Sequence, residues 1–560
     1  MIEDALADLL RSALASSGLD LDGEPPEIVL TKPKQKEHGD FATNLALQVA
    51  GRVGKPPLEV AEIIVANLPV SDVIESKEIA RPGFINFRVR DDWLHRALRD
   101  VAAQGAMYGR SAPSGRRVQV EFVSANPTGP LTLGHARNAA IGDALARLFE
   151  FTGLEVLREY YFNDAGGQMD RFGDSVVARY LQAVGREAEV PQDGYHGAYL
   201  ADIAEDILRA VGPSLADLPP DERMLRLRDE AVQRVLPQIR STLDRFGVRF
   251  DVYTSERTLA ERGEIELAVQ RLRQAGLAYE ADGAVWFRST EFGDDKDRVL
   301  IRSNGRHTYF AADCAYVIDK FSRGFDHVVY VWGADHHGDV ARVRGAAQAL
   351  GYDPSSLEFV VYQWVAFLRD GEPVPMSKRA GTFVTLDELM DEVGTDAARF
   401  HLLMFSPDAT MNFDIEAVRQ QSMDNPVYYV QYGHARIASI LRKAAERRVE
   451  LRSIDEVDLW RLSHEAELDL LRAIADVERQ IRTAAERRAP HRLTHAAQDI
   501  AGRFHRFYTE CSVLSDDAAL TQARLWLCVG TKQVIANLLE LLGVSAPESM
   551  ERSEDVERAR

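Results

Sequence analysis

The sequence predicts a multidomain protein: a parallel-sheet α/β domain with a helical insertion, preceded by an α+β domain and followed by an all-α bundle. Three observations predict this. A chain of 560 residues exceeds what one hydrophobic core supports. Residues 117–163 alternate strand-like and helix-like patterns: RVQVEFVSA, then ARNAAIGDALARLFEFTG, then EVLREYYFN. Beyond residue 414 the apolar residues recur at i, i+3, i+4 almost to the end, with no convincing strand.

Each part has its own signals. In residues 1–110, an acidic amphipathic helix (Ile2, Leu6, Leu9, Leu10, Leu14) precedes TKPKQKEHGDFATNLALQVA and a strand-like EIARPGFINFRV. The Gly-, Ser- and Arg-rich GAMYGRSAPSGRR reads as a linker into the α/β domain, taken as 111–413. A polar, helix-rich stretch at about 164–277 reads as an insertion, after which sheet-like segments return: GAVWFRS, VLIRS, HVVYVWGADHHG and LEFVVYQWVAFL. Residues 414–560 are the helical domain, ending in a charged ERSEDVERAR.

Composition narrows the class. With 46% hydrophobic and 28% charged residues, the chain is that of an ordinary globular protein. No run of 18 apolar residues occurs, so no membrane span is expected, and the N-terminus lacks the features of a signal or transit peptide. Cys314, Cys511 and Cys528 form neither a disulfide framework nor a zinc motif, which fits a reducing cytoplasm. A net charge of −20 argues against nonspecific coating of nucleic acid, but not against one RNA docked on local basic faces.

Two motifs, EFVSANPTGPLTLGHARN (121–138) and PMSKRAG (375–381), read as a divided ATP site. In the first, a strand enters a Pro/Gly turn and then a helix. Gly134 leaves room for an adenine ring, the helix start offers N–H groups and a positive dipole end to phosphate, and His135 adds a donor. In the second, Lys378 would neutralise charge on the α-phosphate and the leaving pyrophosphate, and Gly381 permits loop movement. GADHHG follows an apolar strand, so its turn lies at a carboxyl end of the sheet, where such folds bind ligands. Adjacent histidines seldom ligate one ion, which favours substrate contacts over a metal there, and no zinc-ligand set is visible.

These segments resemble the H-I-G-H and K-M-S-K-S signatures of class I aminoacyl-tRNA synthetases. Together with SANPTGP, REYYFNDAGGQM, DGYHGAYL, GADHHG, NPVYYVQYGHAR, GDFATN and GFINF, they resemble arginyl-tRNA synthetases of the bacterial type. The first histidine of one signature is Thr132 here, and the first lysine of the other is Pro375. The resemblance implies a Rossmann-type catalytic domain, ATP with Mg2+ and L-arginine as substrates, tRNA(Arg) as partner, and a cytoplasmic monomer. His135, Lys378 and Thr132 would serve catalysis. Pro127, Thr128, Gly129, Pro130, Leu131, Leu133, Gly134, Ala136, Gly333, Asp335, His336, Met376 and Ser377 would surround ATP.

Arginine presents a planar, permanently charged guanidinium that carboxylates bind in a fork. Tyr309 and Asp313 lie four residues apart, on one face if helical, and by resemblance would line that pocket with Glu256. Glu121, Ser124, Asn126 and His337 would hold the substrate's backbone groups. Phe84 and Asn86 of the N-terminal domain would meet the tRNA elbow. Tyr428, Tyr429, Tyr432 and Arg436 open the anticodon-binding domain, where the tyrosines either stack on bases or pack the first helix. The implied activity is arginine–tRNA ligation. A catalytically impaired tRNA-binding paralogue is the alternative that Thr132 and Pro375 suggest.

Overall fold

A computed structural model describes residues 2–21, 24–33, 35–374, 376–377 and 382–550. Pro375 and the segment 378–381, with Lys378 and Gly381, lie outside the described residues. The chain divides into two compact units. One comprises Met1–Tyr108, Ile440–Arg479 and Gly502–Val534; the other comprises Gly109–Ser439, Gln480–Ala501 and Ile535–Arg560.

The first unit contains a four-stranded antiparallel sheet in the order Leu30–Thr31, Phe41–Thr43, Phe84–Val89, Ile74–Ala80. The helix Ile2–Ser16 buries Leu6, Leu10 and Leu14, one stripe at helical spacing, in the core formed by Phe41, Leu45, Val49, Ile64, Ile85 and Phe87. Later segments join this unit through specific contacts. Arg479 pairs with Glu3 and Lys32 with Asp476, and Leu98 packs so close to Gly530 that a Cβ there would lie 2.4 Å from it.

The second unit is built on five parallel strands: β1 (Arg117–Glu121), β2 (Glu155–Phe162), β3 (Val252–Ser255), β4 (His327–Gly333) and β5 (Leu357–Tyr362). Their order is β5-β4-β1-β2-β3. The chain winds outward from β1 to β3 on one side, then returns to lay β4 on the other. The order therefore reverses between β1 and β4, and their carboxyl ends open a crevice there. Helix α1 (Leu133–Phe151) crosses from β1 to β2, and α2 (Tyr309–Ser322) and α3 (His337–Ala349) flank β4. Two long-range anchors fix this frame. Buried Arg137 donates to the carbonyls of Gln363, Ser406 and Ala409, and buried Arg399 pairs with Asp143 at 2.5 Å.

Three sheet assignments differ from the sequence reading. β3 lies inside the stretch read as a helical insertion; only four residues long, it pairs with β2 alone, too short for a periodic signal. The segments around GAVWFRS and VLIRS form a separate antiparallel sheet with Ala278–Ala281, and LEFVVYQWVAFL breaks into two strands at Gln363–Trp364. The C-terminal region is a helical bundle, with helices Pro426–Glu446, Glu465–Glu486, His491–Glu510 and Ala518–Leu542. Among the described residues, Ala518–Leu542 is long and apolar enough to cross a bilayer, but 67% of its apolar window is buried, as in a core helix.

Candidate functional site

A cleft of about 1240 Å³ opens at the carboxyl ends of the strands. That exceeds the ~300–1,000 Å³ typical of a single small-ligand pocket. Every strand of the parallel sheet delivers a lining residue at or just past its end: Glu121, Asn163, Glu256, Gly333 and Tyr362. Thr132, Gly134 and His135 from the start of α1 line it as well, as do Ser124, Asn126, Tyr309, Asp313, Asp335 and His336.

The turn leaving β1 is strained. Val123 and Ser124 adopt φ of 64° and 43°, a region that a β-branched residue enters only when its surroundings enforce it. Asn138 of α1 enforces it: its Oδ1 accepts the Val123 N–H at 2.6 Å while its amide donates to the Val331 carbonyl at 2.9 Å. The Ser124 hydroxyl donates to Glu121 at 3.1 Å. The outcome is a backbone bent to aim residues 124–126 into the crevice.

Thr132 is the N-cap of α1. Its backbone N–H donates to His135 Nδ1 at 3.1 Å, which leaves the ring proton on Nε2, and its hydroxyl lies 3.1 Å from the same nitrogen. His135 is thus oriented by the residue that replaces the usual first histidine.

The opposite wall is acidic. Burial, then Glu256, Asp339 and Glu121, push the Asp313 carboxyl up to about 7. Burial likewise pushes Glu256 up to about 6, although the Tyr161 hydroxyl donates to it at 2.8 Å. Burial is the leading cause of both shifts, so each carboxyl favours its protonated form. Tyr309 stands beside them, 51% exposed, one helical turn before Asp313 on α2. His336 faces Asp335 and Asp339, and hydrogen bonding to Asp339 holds its value above that of a free histidine.

Beneath the cleft lies a closed charge network. Buried Lys320 pairs with Glu121 at 2.5 Å and sits over the rings of Tyr316 (4.2 Å) and Tyr330 (3.9 Å). Buried Glu159 accepts from Tyr316 at 2.7 Å and pairs with Arg323 at 2.8 Å. Burial raises the Glu159 value, but Lys320 and Arg323 outweigh it and hold the carboxyl below its ordinary value.

Other sequence-derived residues fall elsewhere. Pro127, Thr128, Gly129, Pro130, Leu131, Leu133, Ala136 and His337 do not line the cleft; Thr128, Leu131, Leu133 and Ala136 are buried around it. Met376 and Ser377 form a short strand paired with Thr382–Phe383. In the N-terminal sheet Phe84 is 39% exposed while Asn86 is buried. On the helix Pro426–Glu446, Tyr428 is buried and stacks on Tyr432, whose hydroxyl accepts from Arg436 at 2.7 Å. Tyr161, Asn163, Gln168 and Asp339 line the cleft but are absent from the sequence-derived set. Tyr161, Asn163 and Gln168 fall within REYYFNDAGGQM, a segment that carries the resemblance.

A family model described as the class I (R) tRNA synthetase catalytic domain matches residues 97–418. Models described as the arginyl tRNA synthetase N terminal domain and the DALR anticodon binding domain match 2–89 and 430–550. Arginine–tRNA ligases from Desulforamulus reducens and Moorella thermoacetica are 46% and 48% identical; each alignment covers 98% of this chain, and 99% and 98% of those proteins. The structure of Thermus thermophilus arginyl-tRNA synthetase superposes with a TM-score of 0.78 at 25% identity, over 98% of this chain and 100% of that one. The chain belongs to the arginyl-tRNA synthetase family of class I aminoacyl-tRNA synthetases.

Proposed function

We propose that the protein joins L-arginine to tRNA(Arg), with ATP bound as its magnesium complex. The observation that carries this is the acidic wall. Asp313 and Glu256 face one cleft with carboxyls pushed up to about 7 and about 6, and a guanidinium between them would relieve both.

In the first step the arginine carboxylate attacks the α-phosphorus of ATP, and the bond to the leaving pyrophosphate breaks. Asp313, Glu256 and Tyr309 hold the side chain; Glu121, Ser124 and Asn126 hold the backbone groups. His135, with its proton on Nε2, donates to phosphate oxygens beside the helix start, and Lys378 offsets the charge from the other motif. Gly134 admits the adenine, and Gly333, Asp335 and His336 border it. In the second step the 2′-hydroxyl of the tRNA's terminal adenosine attacks the carbonyl of the adenylate, and AMP leaves. Holding both substrates in one crevice supplies much of the acceleration.

We assign residues 1–110 to the tRNA elbow, through Phe84 and Asn86, and 414–560 to the anticodon, through Tyr428, Tyr429, Tyr432 and Arg436. The enzyme works as a cytoplasmic monomer. The test supplies each of the twenty amino acids separately with ATP, tRNA and purified protein. Acid-stable charging with arginine alone is expected. No charging with arginine, or equal charging with lysine, would refute the proposal.

A further inference from the structure

Two tyrosines of the segment DGYHGAYL (193–200) stand outside the cleft yet reach the 124–130 turn, whose Ser124, Ala125 and Asn126 line it. The Tyr199 hydroxyl donates to the Thr128 carbonyl at 2.6 Å. Its ring fills the space between two glycines: a Cβ on Gly129 would come within 2.7 Å of the ring, and one on Gly197 within 2.4 Å. Its far side meets Phe383 edge to face, ring centroids 6.2 Å apart and planes at 69°. Phe383 lies two residues beyond the segment 378–381, so Tyr199 touches the surroundings of both halves of the divided ATP site.

Tyr195 is buried, with its N–H bonded to Ser175 at 2.9 Å, and its hydroxyl accepts from Gln168 at 3.0 Å. The Gln168 carbonyl accepts from the Asn126 amide at 2.6 Å, and Asn126 Oδ1 accepts the Asn163 N–H at 3.0 Å. A side-chain amide carries two N–H donors and one carbonyl and can flip unless its partners choose an orientation. The Asn163 N–H, which can only donate, chooses one for Asn126, and the bond to Gln168 follows from it.

We propose that Tyr195 and Tyr199 are positioning residues that set the two ends of the 124–130 turn separately. Tyr195, through Gln168, holds Asn126 toward the arginine backbone, while the Asn163 N–H sets which way its amide faces. Tyr199 fixes the Thr128–Gly129 backbone on the ATP side and braces it against Phe383. The proposal rests on the reading of the cleft as an arginine and ATP site.

The experiment measures steady-state charging of tRNA by Tyr195→Phe, Tyr199→Phe, Asn126→Ala and the Tyr195→Phe/Asn126→Ala double variant, with thermal melting alongside. Losing one such hydrogen bond predicts a change of about 3- to 10-fold. Tyr195→Phe raises KM for arginine by that factor and leaves KM for ATP within about 2-fold; Tyr199→Phe does the reverse. The double variant is no worse for arginine than Asn126→Ala alone, because both act through one amide. Equal losses for both substrates, or altered melting with unchanged KM values, would mean a merely structural role and overturn the proposal. If Asn126→Ala raises KM for arginine and Tyr195→Phe does not, the relay fails while the cleft reading stands. If Asn126→Ala itself has no effect on arginine, both fall together.

Discussion

If Asp313 and Glu256 receive the guanidinium, as proposed, arginine binding should release protons, because both carboxyls are partly protonated without it. Asp313 sits at about 7 and Glu256 at about 6, against ordinary values of 3.8 and 4.5. At pH 8 roughly nine in ten Asp313 carboxyls and nearly all Glu256 carboxyls are ionised; at pH 6 the fractions are roughly one in ten and one half. If arginine requires both ionised, its affinity falls about 20-fold from pH 8 to pH 6, or ~1.8 kcal/mol. The assay is titration calorimetry at pH 7 in buffers of different ionisation heat. Its slope should report about half a proton released per arginine bound, mostly from Asp313. An affinity constant within 2-fold from pH 6 to 8, with no proton released, would refute the reasoning. The same shifts set a stability trend in the ligand-free protein. Each carboxyl binds its proton more tightly folded than unfolded. The stabilisation is therefore fully present below about pH 4, and is lost as pH rises through about 6 for Glu256 and about 7 for Asp313. Saturating arginine should therefore raise the melting temperature more at pH 8 than at pH 5.5.

Lys320→Met strands Glu121 and Glu159 as buried charges with one cation fewer, and should cost about 3–5 kcal/mol in chemical denaturation; a change under ~1 kcal/mol would contradict the network's role. Asn138→Ala removes the acceptor for the buried Val123 N–H and frees the strained turn. It should cost about 1–3 kcal/mol and lower kcat in charging assays, whereas unchanged kcat would show that the turn holds itself. Lys378→Ala should lower kcat by about 10²–10³ with little change in KM for arginine, if the lysine acts on developing phosphate charge; full activity would remove it from the mechanism.

The parallel sheet and its crevice were legible because their cause is local. Apolar runs such as VVYVW end in Gly-rich turns, and a strand followed by a helical stripe at Ala136–Phe151 has one natural topology. That Asp313 and Tyr309 share a face was legible for the same reason, since they lie four residues apart on a helix, but their place in a guanidinium pocket came only from the resemblance. β3 was not legible, because four residues at the sheet edge carry no periodicity of their own. Lys320 and Glu159 were invisible for a different reason. A lysine seven residues beyond Asp313 looks like a solvated helix face until the fold brings Glu121, from 199 residues away, onto it. Thr132 reads as a loss in the sequence. In three dimensions its backbone N–H orients His135, a role that does not depend on which side chain it carries.

The central claim is that a pair of half-buried carboxyls selects a cation of guanidinium shape. The most direct measurement compares the affinities of L-arginine and L-citrulline, its neutral urea isostere, for the wild-type protein and for Asp313→Asn. Arginine should bind the wild-type protein more tightly by ~2–5 kcal/mol, and Asp313→Asn should erase most of that difference by weakening arginine while sparing citrulline. Equal binding of the two ligands by the wild-type protein, or an undiminished preference in Asp313→Asn, would contradict the account.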